Sequence, residues 1–290
     1  MRPTRPTRPT RQTRQQAIPQ GKLIKARGGD YYITQKKAKK PSRLRFPMNI
    51  SSSYASEIAA LLSNVKAAIA EFCAALRKEQ GLTDAEGDNQ RKAIYKKLQT
   101  RLNEAVPDEK AALRVVTSNG VRIAESNKAQ VNEQIKTGIG VTMSTRPEAW
   151  LEAKFAGWIK DNTDLIKSVA GDAKERASQI VFENVSEGIA PGALADKLER
   201  FEGMTESKAE LIARDQTGKF FSELTQERFK DIGVERYIWQ TADDAAVREI
   251  HAELNGKTFN MDEGDEDGCL PGENYQCRCV MLAVFEDLLF

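Results

Sequence analysis

Apolar residues recur at intervals of three and four over most of the chain, which is the period of helices that bury one face. In the first such stretch the apolar positions are Ile58, Leu61, Leu62, Val65, Ile69, Phe72 and Leu76. A serine cluster at Ser53 offers an N-cap and Gly81 a stop, so we expect a helix between them. A second helical pattern follows and ends by Pro107, since proline disfavours helix at the residue before it.

A third helix is predicted from about Asp108. Whether this helix continues past Asn119-Gly120 stays open, because that dipeptide is also a turn signal. Pro147 is expected to open a fourth helix, at the position where helices tolerate proline best.

Two shorter helices are predicted over 172–186 and 194–201, with a Pro-Gly turn between them. A long helix then runs over about 205–231 and stops at Gly233, a residue type that commonly caps helix C-termini.

The pattern changes after Gly233, where Tyr237 and Trp239 alternate with Arg236 and Ile238. This alternation predicts a β-strand, and the segments KTFNM and CRCVMLAVF are further strand candidates. The predicted fold class is therefore mainly α: a helical body, a small α+β module at the C-terminus, and a disordered or extended basic arm at the N-terminus.

Charge divides the chain more sharply than its net value of +2 suggests. The first 45 residues carry fourteen Lys and Arg against one acid, while the remainder is net acidic. Such an asymmetry is typical of an arm that binds polyanions or acidic protein surfaces. We expect three regions: the basic arm (1–47), the helical body (48–204) and the C-terminal module (205–290).

The arm begins with a three-residue repeat of arginine, MRPTRPTRPTRQTRQQ. In polyproline II these arginines would line one edge at about 9 Å spacing, although a solvated disordered tail has the same composition. The candidate DNA-binding residues are Arg2, Arg5, Arg8, Arg11, Arg14, Lys36, Lys37, Lys39 and Lys40. Aromatic residues among the later cations suit either nucleic-acid contact or an arm docked on a neighbouring molecule, and both interpretations stay open.

No run approaches eighteen consecutive apolar residues, and the basic N-terminus lacks the apolar core of a secretory signal. We therefore expect a soluble protein made in a cytoplasm, with no membrane partner. Four cysteines are too few and too unevenly spaced for the framework of a small secreted protein.

Three of these cysteines and the only histidine of the chain lie close together in sequence: His251, Cys269, Cys277 and Cys279. One His and three Cys form a legitimate ligand set for structural zinc, so zinc is the candidate cofactor. Free thiols in a small core are the main alternative, because closed zinc sites normally use tighter cysteine pairs. A disulfide from Cys269 is a further possibility outside reducing cytosol.

Catalytic interpretations of the same region are weaker. A Cys-His nucleophile pair with Asp243 or Asp244 as the orienting acid needs a geometry that spacing alone does not establish. A zinc-dependent nuclease would need an open site with carboxylates. The acidic run over 262–267 offers oxygen ligands for Ca²⁺, but it lacks the register of an EF-hand, and a solvated loop is the simpler interpretation.

The C-terminal module contains a series of ordered pieces over about 205–284. A helix contains Ala213, Arg214, Asp215 and Thr217; then come a Tyr-x-Trp strand, an Asp, Arg248 and His251, the turn LNGKTF, and finally LPGENYQCRCV. In these pieces the module resembles the phage Mu F-like family of head morphogenesis proteins, the minor head proteins of tailed phages. The Arg-Pro-Thr repeat lies outside the family pattern, so its role rests on charge alone.

The resemblance implies a non-enzymatic part in head morphogenesis at the portal or inner capsid. The implied partners are the portal protein and a major capsid or scaffolding protein, and packaged double-stranded DNA is added from the charge of the arm. The implied location is the virion head, with host cytoplasm during assembly. An alternative is a toxin-associated or nuclease-type enzyme built on a phage-like module.

Overall fold

The computed structural model describes residues 21–78, 84–143, 147–186, 191–202 and 204–289. Two short strands come first and form an antiparallel hairpin, β1 (Lys22–Ile24) and β2 (Tyr31–Ile33). The α-helices follow: α1 (Met48–Lys78), α2 (Asp84–Ala105), α3 (Glu109–Ile139), α4 (Leu151–Ser186), α5 (Pro191–Glu202) and α6 (Met204–Asp231). The prediction of a mainly helical fold is confirmed.

The C-terminal module combines α6 with a short helix and a three-stranded antiparallel sheet. Its further elements are β3 (Arg236–Gln240), α7 (Glu249–Leu254), β4 (Thr258–Asn260) and β5 (Val280–Ala283). The strand order is β4-β3-β5, so the strand predicted around Trp239 is the central one. All three predicted strands are confirmed, although β5 begins only after the two cysteines of its predicted segment.

Helix α3 runs without interruption through the predicted turn signal. Asp108 caps its start by accepting a hydrogen bond from the backbone N–H of Ala111 at 2.6 Å. Gly120 is buried in mid-helix, where a Cβ atom would lie 2.6 Å from the Trp158 ring. A glycine at this position therefore allows α4 to pack closely on α3. Glycine costs about 1 kcal/mol relative to alanine within a helix, and the packing against α4 offsets that cost.

The predicted bounds around α4 are wrong in two respects. Pro147 precedes the helix, which begins at Leu151, and the stretch predicted separately over 172–186 is the second half of the same helix. Ile166 and Ala170 are fully buried on its inner face. Tertiary packing thus continues the helix past the exposed Gly157 and past Gly171.

Helix α1 occupies the centre of the helical body, where it packs against α6 and α5. Its side chains Tyr54, Ile58 and Val65 are fully buried. By length and composition alone α1 is also apolar enough to cross a membrane. One such helix is weak evidence for a membrane span, since core helices of soluble proteins meet the same test, and 39% of the apolar window of α1 is buried in the fold.

The segment between β1 and α1 packs on the body of the same chain. The Arg27 guanidinium donates to Asp231 at 2.7 Å, and the Tyr31 hydroxyl donates to the carbonyl of Ile232 at 2.6 Å. Leu44 is 1% exposed in the main core. This segment therefore docks on the body of its own chain, and both earlier interpretations, nucleic-acid contact and docking on a neighbouring molecule, stay predictions.

One hydrophobic core contains residues from all three predicted regions, for example Tyr31, Val116 and Trp239. A second, smaller cluster joins parts of α1, α2, α4 and α5. The division at 47 and 204 stays a prediction, and no break in the main core marks either position.

Candidate metal centre and basic segment

Trp239 forms the floor of the candidate site. It is fully buried on β3, and its ring meets the His251 ring edge-on at 5.4 Å between centroids. Its cross-strand partner is Met281 on β5. The central strand thus fixes one side of the imidazole.

Helix α6 positions the loop that carries the two cysteines. The buried Asp215 carboxylate accepts a hydrogen bond from the backbone N–H of Gln276 at 3.0 Å. A Cβ atom on Gly218 would lie 2.8 Å from the carbonyl oxygen of Cys277, so only glycine allows this loop to lie so close to the helix. Gln276 itself has a positive φ of 58°, a strained conformation that turns Cys277 inward.

Three potential ligand atoms converge on one point. The Sγ atoms of Cys277 and Cys279 lie 3.5 and 3.6 Å from Nδ1 of His251, and all three atoms lie within 4.8 Å of one another. Each of these residues is at most 6% exposed. Among the described residues this is the one group of three or more such ligands at that spacing.

Cys269, the fourth predicted ligand, is outside this group. It is only half-buried, and its backbone N–H donates to Asp265 at 2.8 Å within the acidic loop. The structure thus brings three of the four predicted ligands together, and zinc binding itself stays a prediction.

The environment favours a thiolate at Cys277. A hydrogen bond from the Cys279 thiol lowers the pKa of Cys277 below its ordinary value, against the opposing effect of burial. Backbone N–H groups of Cys279 and Gly272 also act on this sulfur and favour its charged form. The same coupling to Cys277, followed by burial, raises the pKa of Cys279.

The S···N distances are also compatible with a Cys-His nucleophile pair. The side-chain amide of Asn274 lies 3.4 Å from Nε2 of His251, a neighbour that the sequence did not predict. The adjoining cavity is about 20 Å³, which is room for about one water molecule. The proposed orienting acids are engaged elsewhere: Asp243 pairs with Arg43, and Asp244 accepts two hydrogen bonds from Arg278. Both aspartates predicted as orienting acids thus pair with arginines.

The acidic loop over 262–267 is organised by its own hydrogen bonds. Asp265 accepts from the backbone N–H groups of Asp267 and Cys269, and Asp262 pairs with Lys230 at 2.7 Å. These contacts are made within the loop and with α6, and the interpretation as a solvated loop stays a prediction.

The four candidate lysines lie in the described part of the basic arm, residues 21–47. Lys36, Lys37, Lys39 and Lys40 are all exposed, and none of them takes part in an ion pair among the described residues. The remaining candidates, Arg2, Arg5, Arg8, Arg11 and Arg14, lie outside the described residues. DNA contact by either group stays a prediction.

The fold and the site together define a helical protein with a compact Cys/His-containing α+β module. Residues 176–282 match the family described as Phage Mu protein F like protein, so the predicted resemblance is confirmed over this segment. The match begins inside α4, earlier than the module itself.

A stretch of 163 residues is 31% identical to an uncharacterized protein of Haemophilus influenzae. That similarity covers 56% of this chain and 36% of the relative, so the chain spans little more than a third of the length of the protein it matches. No solved structure matches the chain.

Proposed function

We propose that the protein is a minor head protein of a tailed double-stranded DNA phage, which acts in head morphogenesis at the portal or inner capsid. The observation that carries the proposal is the Mu F-like match over 176–282, which includes every element of the C-terminal module up to β5. Its partners would be the portal protein and a capsid or scaffolding protein.

The distribution of burial supports a structural role. The residues that mark the family resemblance most clearly, Tyr237 and Trp239, are fully buried, and both rings pack on Phe259 of the neighbouring strand. Such residues build a platform for assembly contacts. The exposed lysines of the basic segment add a surface suited to phosphate contacts with packaged DNA, without base-reading geometry.

The proposal is tested by the composition of assembled particles. A tagged full-length chain is expressed in cells that assemble heads of the encoding phage, and purified heads are analysed by quantitative mass spectrometry. We expect a fixed number of copies per head and reduced infectivity when the gene is deleted. Heads that assemble without the chain and infect normally would contradict the proposal.

A variant that keeps the fold distinguishes the enzyme alternative from a purely structural role. His251→Gln, if stably folded, should enter heads and preserve infectivity as far as its stability allows. A variant that is folded and fully incorporated but gives inactive particles would favour a chemical role for His251.

A further inference from the structure

We propose that the C-terminal module binds one zinc ion through three protein ligands, Nδ1 of His251 and the sulfurs of Cys277 and Cys279, with a water molecule as the fourth ligand. This assignment leaves Cys269 out of the ligand set. It concerns the stability of the module and is independent of the proposed role in the phage head.

The distances are those of a tetrahedral site. Zinc bonds of about 2.3 Å to sulfur and about 2.0 Å to nitrogen, at tetrahedral angles, place each sulfur about 3.5 Å from the nitrogen. The two observed S···N distances are 3.5 and 3.6 Å. The ligand atoms thus already surround a point at which the ion fits.

Hydrogen bonding alone accounts poorly for this arrangement. The Nδ1 atom of an imidazole has either one lone pair or one hydrogen in the ring plane, so it can serve only one of the two sulfurs well. A metal ion accepts an electron pair from all three atoms at once. The N–H groups of Cys279 and Gly272 directed at Cys277 are the contacts that a metal-bound thiolate needs.

The surroundings supply the remaining parts of a zinc site. With Nδ1 on the metal, Nε2 carries the ring hydrogen, and the Asn274 amide at 3.4 Å can present its oxygen to it after half a turn. The indole N–H of Trp239 has no oxygen or nitrogen acceptor among the described residues and faces the Cys279 sulfur. The adjoining cavity of about 20 Å³ has room for one water molecule as the fourth ligand.

Zinc would add a direct link between two short pieces of the module, in addition to their packing on Trp239 and on α6. His251 lies in a helix of six residues, and both cysteines lie in the loop before β5. The three strands are only three to five residues long. Small elements of this kind commonly depend on a metal or a disulfide for their stability.

The experiment uses the full-length protein, produced in reducing cytosol with added zinc and purified without chelator. Elemental analysis should find about one zinc ion per chain. The variants Cys277→Ser and Cys279→Ser should bind zinc at least 100-fold more weakly in competition with a chromophoric chelator, since even outer partners of a ligand change affinity 10- to 100-fold. Cys269→Ser is the matched control and should retain wild-type affinity.

A second measurement covers the case in which the ligand variants do not fold. The metal-free wild-type protein is titrated with Co²⁺, and the absorption should show tetrahedral coordination by two thiolates. Less than about 0.1 equivalent of zinc after incubation with zinc chloride and a reducing agent would overturn the proposal. So would loss of zinc in Cys269→Ser, or a cobalt spectrum with three thiolates.

Discussion

The ring of Phe285, two residues beyond β5, lies directly against Gly138 near the end of α3, where any side chain would overlap the ring. This contact joins the last strand of the C-terminal module to the helical body. It explains why a single core contains both, because Phe285 is 1% exposed and is surrounded by residues of each.

The contact predicts that Gly138→Ala destabilises the protein although alanine is the better helix former. Overpacking should cost about 1 to 3 kcal/mol, more than the gain of about 1 kcal/mol from helix propensity. Gly157→Ala is the matched control, because a Cβ atom there meets nothing within 4 Å. Urea unfolding should therefore show a lower midpoint for the first variant and a higher one for the second. Higher midpoints for both would contradict the close approach.

Trp239 should be the residue whose loss damages the module most. It is fully buried between His251 and Phe259, so Trp239→Ala should lower the free energy of unfolding by about 3 to 5 kcal/mol. The control is Tyr275→Ala in the same module, since Tyr275 is 59% exposed and should change stability by less than about 0.5 kcal/mol. Chemical denaturation followed by circular dichroism measures both. Equal effects would show that Trp239 does not support the core.

The ion pair between Arg228 and Glu148 should make stability depend on pH. Burial raises the pKa of Glu148, but hydrogen bonds and charge from Arg228, together with Lys128, outweigh it and hold that pKa below its ordinary value of 4.5. A lowered folded-state pKa stabilises the fold above the unfolded value, and that contribution is lost as the pH falls through the folded value. Wild-type stability should therefore decline below about pH 4.5.

Glu148→Gln removes this titration and leaves Arg228, 5% exposed, without its counter-ion. At pH 7 the variant should be about 3 kcal/mol less stable than wild type, and the difference should shrink towards pH 3. The exposed Glu199→Gln, which interrupts a pair with Arg77, should change stability much less. A constant difference between Glu148→Gln and wild type from pH 7 to pH 3 would exclude the lowered pKa.

The exposed lysines should determine how DNA binding depends on salt. If Lys36, Lys37, Lys39 and Lys40 each contact a phosphate, replacing all four by Gln should make the slope of log K against log salt shallower by about 3 to 4. The matched control replaces four exposed lysines elsewhere with the same change of net charge: Lys92, Lys96, Lys97 and Lys110. Fluorescence anisotropy with a labelled duplex measures the slope.

Deletion of residues 1–14 should flatten the same slope further and leave the unfolding midpoint unchanged. An unchanged slope after this deletion would exclude DNA contact through residues 1–14, and equal slopes for the two lysine variants would exclude contact through the four lysines.

The sequence by itself determined the local elements. Apolar spacing located the helices, Asp108 and Gly233 marked helix ends, and alternation around Trp239 predicted the central strand. These features depend on neighbours within a few positions, so they can be recognised without the fold. The ordered pieces of the module were likewise sufficient for the family resemblance, because each piece is contiguous.

Only the tertiary structure decided which distant residues meet. His251 is 26 residues from Cys277, yet these two converge while Cys269, closer to His251 in sequence, stays outside. Gly120 lies in a continuous helix because aromatic side chains of α4 pack on it, although its sequence also favours a turn. In each case the outcome depends on how the chain returns on itself. Burial and packing between distant segments then override a local preference of about 1 kcal/mol.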